Sequence, residues 1–283
     1  MSTRRVVLAG VLACALLAPA IRAQTPAQRT FPNAPPGFDV RREGVARGGL
    51  ERVEYDSTIT GNKRPAMVYT PPGYSASQRY PALYLLHGLG ANETVWTNDG
   101  AANVILDNLI ADKRAVPMIV VMPNNRASNE PVAGIPRVEM QAYAAFEREL
   151  IADLIPFIES RYSVDRSREG RALAGLSLGG WQSLSFGLSN LNRFAWVGGF
   201  SSALNASPPA QLVPNPAAAR DRLRLLWISC GDQDTGSFNM SEGLHSYLAE
   251  RNVPHVWHID VGGAHTLAVW KNDLYHLATL LFQ

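Results

Sequence analysis

From Leu50 onward, short apolar runs alternate with segments whose apolar residues recur every three or four positions. Arg52 to Ile59 and Arg64 to Thr70 are extended in pattern and flank Thr60-Gly61-Asn62-Lys63, which predicts an antiparallel hairpin. Pro71-Pro72-Gly73-Tyr74 then makes a hard turn. Beyond it the runs Ala82–Leu86, Met118–Met122, Arg171–Gly175, Phe194–Phe200, Leu223–Cys230 and Val256–Asp260 read as strands. Helical periodicity is expected over Ala102–Asp112, Tyr143–Arg161, Gly179–Asn190, Glu242–Arg251 and Leu267–Phe282. Strands that are apolar on both faces and separated by helices predict an α/β fold, with a mainly parallel central sheet covered on both sides. Ser201 to Asp221, with four prolines, is a long excursion of the kind that serves function or moves.

The amino-terminal part follows a different pattern. Arg4 and Arg5 precede an apolar run from Val6 to Leu17, and small residues follow up to Ala20 and Ala23. This predicts a signal peptide over residues 1–23 and an exported protein. The run is shorter than the roughly 20 residues that cross a bilayer, so no stable membrane insertion is expected once the signal is cut. The residues around Arg4-Arg5 and Val11-Leu12-Ala13-Cys14 fit twin-arginine and lipoprotein signals poorly. Residues 24–49 are rich in Pro, Arg and Gly and lack periodicity, which reads as a tether or loosely packed arm. Residues 50–283 are expected to form one catalytic domain.

Composition narrows the function. The formal charge of +2 comes from 26 basic and 24 acidic residues, but three arginines lie in residues 1–23, which hold no acid. The remainder carries 23 basic against 24 acidic residues, a net of −1, and has no cationic cluster to follow a phosphate backbone. Nucleic acid is therefore not an expected partner. Once Cys14 leaves with the signal, Cys230 is alone; its apolar strand makes it a small buried hydrophobe rather than a nucleophile.

Gly175-Leu176-Ser177-Leu178-Gly179 matches the nucleophile-elbow pattern between a predicted strand and a predicted helix. A serine hydroxyl needs a base, and the base needs an acid to orient it. Of six histidines, His265 lies in Gly262-Gly263-Ala264-His265-Thr266, a loop between the last strand and the last helix. His255 and His258, three apart on or beside a strand, point to opposite faces, which weakens a metal reading. His87 precedes the serine and reads as a structural residue of its loop. For the acid, Asp234 in Gly231-Asp232-Gln233-Asp234 is preferred. Asp232 more naturally bonds its own loop backbone, and Asp260 is a third candidate. Oxyanion donors are expected at the N–H groups of Leu178 and of Leu89 in His87-Gly88-Leu89-Gly90. Trp96, Trp181 and Trp270 could line an aromatic acyl pocket.

Tyr80-Pro81-Ala82-Leu83-Tyr84-Leu85-Leu86-His87-Gly88, the elbow, Gly231-Asp232-Gln233-Asp234 and Gly263-Ala264-His265-Thr266 keep their order over about Leu50 to Phe282. In these the chain resembles the esterase D-like α/β hydrolases, and most nearly the feruloyl and acetylxylan esterases of the first carbohydrate esterase family, including xylanase-associated esterase domains. The resemblance implies a triad of Ser177, Asp234 and His265, with Leu89 and Leu178 as oxyanion donors. It implies ester hydrolysis through an acyl-enzyme, without cofactor or metal, on a small-molecule or polysaccharide-linked ester. Siderophore-ester hydrolysis and acyl transfer are the rival activities. A non-catalytic binding module is the rival class, and the presence of all three triad residues in order argues against it. Ala264, Thr266, Ala268 and Trp181 depart from the pattern and leave the acyl preference open.

Overall fold

The computed structural model describes residues 31–131, 136–202 and 207–283. Strands β1 (Gly49–Asp56) and β2 (Lys63–Thr70) form the expected hairpin, with Asp56 opposite Lys63. β3 (Ala82–Leu86), β4 (Ile119–Pro123), β5 (Arg171–Leu176), β6 (Trp196–Phe200), β7 (Leu225–Gly231) and β8 (Val256–Asp260) follow. The sheet order is β1-β2-β4-β3-β5-β6-β7-β8. β2 joins β4 antiparallel, and all pairings from β4 to β8 are parallel. This is the α/β-hydrolase architecture that the alternating runs predict.

Side chains alternate across each strand, so the sheet separates two apolar layers. In β3, Ala82, Tyr84 and Leu86 enter one layer while Leu83 and Leu85 enter the other. The helices are α1 (Val95–Asn98), α2 (Ala102–Ala111), α3 (Pro136–Glu149), α4 (Ile155–Arg161), α5 (Ser177–Ser189), α6 (Pro209–Leu212), α7 (Pro216–Arg222), α8 (Phe238–Glu250) and α9 (Leu267–Leu280). The first layer holds Phe146 of α3, Ile158 of α4, Leu184 of α5 and Leu248 of α8. The second holds Ile105 and Leu109 of α2 with Leu274 and Leu277 of α9.

The boundaries differ from the expectation in instructive ways. The helix expected from Tyr143 starts at Pro136 and is broken by a wide π turn, Leu150–Leu154. Pro156 lacks the N–H that would continue a regular ladder, and the turn lies just before it. At its start, buried Glu149 accepts from Tyr55 Oη at 2.5 Å, Ser57 Oγ at 2.8 Å and Arg64 Nε at 3.1 Å, which ties the hairpin to this layer. The 201–221 excursion contains α6 and α7, the latter capped by the Asn215 side chain on Ala218 N–H.

The arm is not loose where it is described. Phe31 and Phe38 pack on the second layer, and Asn108 Nδ2 donates to the carbonyls of Phe38 and Val40 at 2.9 and 3.0 Å. Ala34 N–H donates to Asn272 Oδ1 at 2.7 Å, Lys271 pairs with Asp39, and Arg42 pairs with Asp112. Residues 31–48 thus clasp α2 and α9 through backbone carbonyls and isolated side chains, features that carry no periodicity. The expected signal and residues 24–30 lie outside the described residues. Among the described residues, no helix is long and apolar enough to cross a membrane.

Candidate active site

β5 ends at Leu176, and α5 starts at Ser177, two residues earlier than expected. Ser177 has φ +52°, the left-handed conformation a sharp strand-to-helix turn imposes. The glycines on either side permit the packing. A Cβ on Gly179 would lie 2.3 Å from the His87 carbonyl oxygen, and one on Gly175 would lie 2.6 Å from that of Gly179. The hydroxyl therefore stands at the carboxyl end of the sheet, on the amino terminus of a 13-residue helix.

His265 follows β8 and precedes α9. Its Nε2 is 2.9 Å from Ser177 Oγ, and its Nδ1 is 2.6 Å from Asp234 Oδ2. An ionised carboxylate only accepts, so Nδ1 carries the proton and Nε2 is free to accept from the serine. Asp234 is buried in the loop after β7, and its Oδ1 also accepts from Ser237 N–H at 3.2 Å. The Cys230 thiol contacts the same Oδ2 at 3.7 Å; burial pushes that thiol up to about 12, so it stays protonated. Three side chains far apart in sequence are thereby joined in one hydrogen-bonded line.

The other candidates fall elsewhere. Asp232 bonds across to the histidine loop rather than to its own backbone: its Oδ1 accepts from Gly262 N–H at 2.7 Å and from the Gln233 side chain at 3.2 Å. Asp260 accepts from Asn272 and faces away from this line. Trp96 is a core residue, 1% exposed, with Nε1 donating to the Leu86 carbonyl, which leaves no surface for a ligand. Trp181 is half-buried one turn after Ser177, and its Nε1 contacts Ser207 Oγ at 3.4 Å. Trp270 meets His265 edge to face, with centroids 4.8 Å apart. A groove of about 600 Å³, lined by residues 233–237, Ala264 and His265, opens beside the imidazole.

The loop after β3 lies against the serine: a Cβ on Gly88 would be 3.2 Å from Ser177 Cβ. Leu89 is exposed, and Leu178 is the second residue of α5, so its N–H belongs to the unpaired first turn. The loop is held by a buried network in which His87 has the structural role expected of it, while its partners Asn125, Gln182 and Tyr143 are absent from the sequence reading. His87 N–H donates to Asn125 Oδ1 at 3.0 Å, and Asn125 N–H donates to His87 Nε2 at 3.2 Å. Gln182 Nε2 donates to the carbonyls of Asn125 and Tyr143, while Tyr143 Oη accepts from Gly90 N–H. For the partners of His87, the signal in the sequence is Asn124-Asn125 after an apolar strand.

Burial pushes the His87 imidazole down to about 4. An unfolded histidine protonates near pH 6.5, so acid stabilises the unfolded chain first. This contribution is complete above pH 6.5 and is lost as pH falls towards 4; it amounts to up to about 3 kcal/mol. Urea denaturation at pH 7 and pH 4.5 should show a smaller acid loss in His87→Gln than in the wild type. Equal losses would mean that His87 is not held neutral.

A family described as "Putative esterase" matches residues 57–278. The chain belongs to this esterase family. The esterase is 31% identical over 255 residues to an endo-1,4-beta-xylanase/feruloyl esterase of Xylanibacter ruminicola, a match covering 87% of this chain and 33% of the relative. The esterase therefore spans about a third of that protein's length. It also resembles the ferulic acid esterase AmCE1/Fae1A of Anaeromyces mucronatus, a member of the first carbohydrate esterase family. The TM-score is 0.81 at 25% identity, over 90% of this chain and 98% of that one. The same enzyme in complex with ferulic acid superposes with a TM-score of 0.79 at 26% identity, over the same shares of the two chains. These likenesses bear out the resemblance read from the motifs.

Proposed function

We propose that this esterase is an exported serine hydrolase that cleaves feruloyl or acetyl esters of plant polysaccharide through an acyl-enzyme. The observation that carries the proposal is the line from Ser177 Oγ through His265 to buried Asp234, with contacts of 2.9 and 2.6 Å. His265 Nε2 takes the serine proton as Oγ attacks the ester carbonyl, and Asp234 keeps the imidazole in the right tautomer. The N–H groups of Leu178 and Leu89 receive the oxyanion, aided by the positive end of α5. His265 then protonates the leaving alcohol, which departs over the groove lined by residues 233–237. Water enters, gives its proton to His265, and releases the acid. No cofactor is required by this sequence of steps.

The feruloyl preference rests on two supports, the ferulic acid bound by a structural relative and the half-buried indole of Trp181 near the elbow. Trp270 backs the imidazole edge-on, which suits a role in holding His265 more than in stacking on an acyl group. Methyl ferulate should be hydrolysed with a kcat/KM at least about tenfold above that for methyl acetate. Trp181→Ala should remove most of that margin, since a buried aromatic contact accounts for roughly tenfold. Equal turnover of the two esters by the wild type would refute the aromatic acyl pocket while leaving the esterase chemistry intact.

A further inference from the structure

On the α9 side of the sheet lies a cluster of buried polar side chains that the hydrolytic site does not use. His258 and Asp260 enter it from β8 and Asp273 from α9, and they are 1%, 5% and 0% exposed. One nitrogen and two carboxylate oxygens from these residues all lie within 4.8 Å of one another. His258 Nε2, Asp260 Oδ2 and both oxygens of Asp273 have no hydrogen-bond partner. Asp260 Oδ1 accepts from Asn272 Nδ2 and lies 3.4 Å from His258 Nε2. Among the described residues, neither carboxylate is paired with a Lys or Arg.

Two carboxylates cannot both stay charged in such a place without a positive partner, which is either a proton or a cation. The inward-facing nitrogen and oxygens are a ligand set. The Ser229 hydroxyl and the Trp227 indole lie beside Asp273 but short of hydrogen-bond geometry, and neither has another partner; metal-bound carboxylates commonly have such outer donors. With bonds of about 2.0–2.2 Å, ligand atoms stand at most about 4.4 Å apart, so small side-chain rotations close the set. A nitrogen with two carboxylates suits zinc, whereas calcium and magnesium favour all-oxygen shells.

We propose that His258, Asp260 and Asp273 bind one zinc ion that cross-links β8 to α9. The segment between those two elements carries His265, so the ion closes the base of the loop that presents the imidazole. Its role is structural and does not depend on which ester is cleaved. His258 and Asp260 are two apart on one strand face, a spacing that the comparison of His255 with His258 overlooks. Binding at Nε2 puts the imidazole proton on Nδ1, which Phe31 N–H approaches at 3.5 Å, so loading also moves Phe31.

The test uses the full chain, loaded with zinc chloride, dialysed into metal-free buffer and analysed by elemental mass spectrometry. We expect about one zinc per chain in the wild type and in Ser177→Ala, and a melting temperature about 5 °C or more above that of protein stripped with EDTA. Asp273→Asn and His258→Gln should retain less than about a tenth of the zinc and lose the zinc-dependent rise. A wild type that keeps no zinc and melts at the same temperature with and without it overturns the proposal, whatever the variants do. Equal zinc in the wild type and Asp273→Asn also overturns it, by placing the ion elsewhere.

Discussion

Ser177→Ala should leave the protein folded and lower kcat on methyl ferulate by about 10⁵–10⁶-fold. On the proposed mechanism the substitution removes the atom that forms the acyl bond, and it adds nothing to the turn. Alanine meets the same left-handed backbone at φ +52° as serine does, so the melting temperature should move by no more than a few degrees. A fluorophosphonate probe that labels the wild type should leave the variant unlabelled. Turnover within tenfold of the wild type would show that the hydroxyl beside His265 is a bystander.

The second large effect separates two aspartates only two residues apart. Asp234→Asn should cost about 10³–10⁴-fold in kcat, because its amide N–H can face Nδ1 and turn the imidazole to the wrong tautomer. Asp232→Asn should cost less than about tenfold. Its side-chain oxygen can still accept from Gly262 N–H, and it touches neither His265 nor Ser177. Steady-state kinetics of the two variants side by side decide the matter. Similar losses in both would mean that the loop acts as a unit and that no single carboxylate orients the base.

Much of this arrangement is legible in the amino-acid order, and the reason is physical. The elbow requires small residues at Gly175 and Gly179 because helix, strand and the His87 carbonyl meet there within the reach of one methyl group. That requirement leaves a local mark. Strands buried on both faces leave apolar runs, so β3 to β8 are visible as well. What stays hidden rests on contacts between distant residues that leave no pattern nearby. Asp232 gives no sign that its partner is Gly262, and the Asn125–Gln182 network joins two polar residues separated by 57 positions. Trp96 reads the same whether it faces a ligand or the core; only the folded chain distinguishes the two. The arm illustrates the same point, since Asn108 captures backbone carbonyls that any sequence would offer.

The left-handed backbone at Ser177 has a wider consequence. A side chain held in that region costs about 1 kcal/mol relative to glycine, which adopts it freely. Glycine would therefore be the more comfortable choice at the one position where the proposed mechanism needs a hydroxyl. On the proposed mechanism the sturdiest residue and the reactive one differ at this position, and a search guided by thermal tolerance alone would drift towards an inert protein.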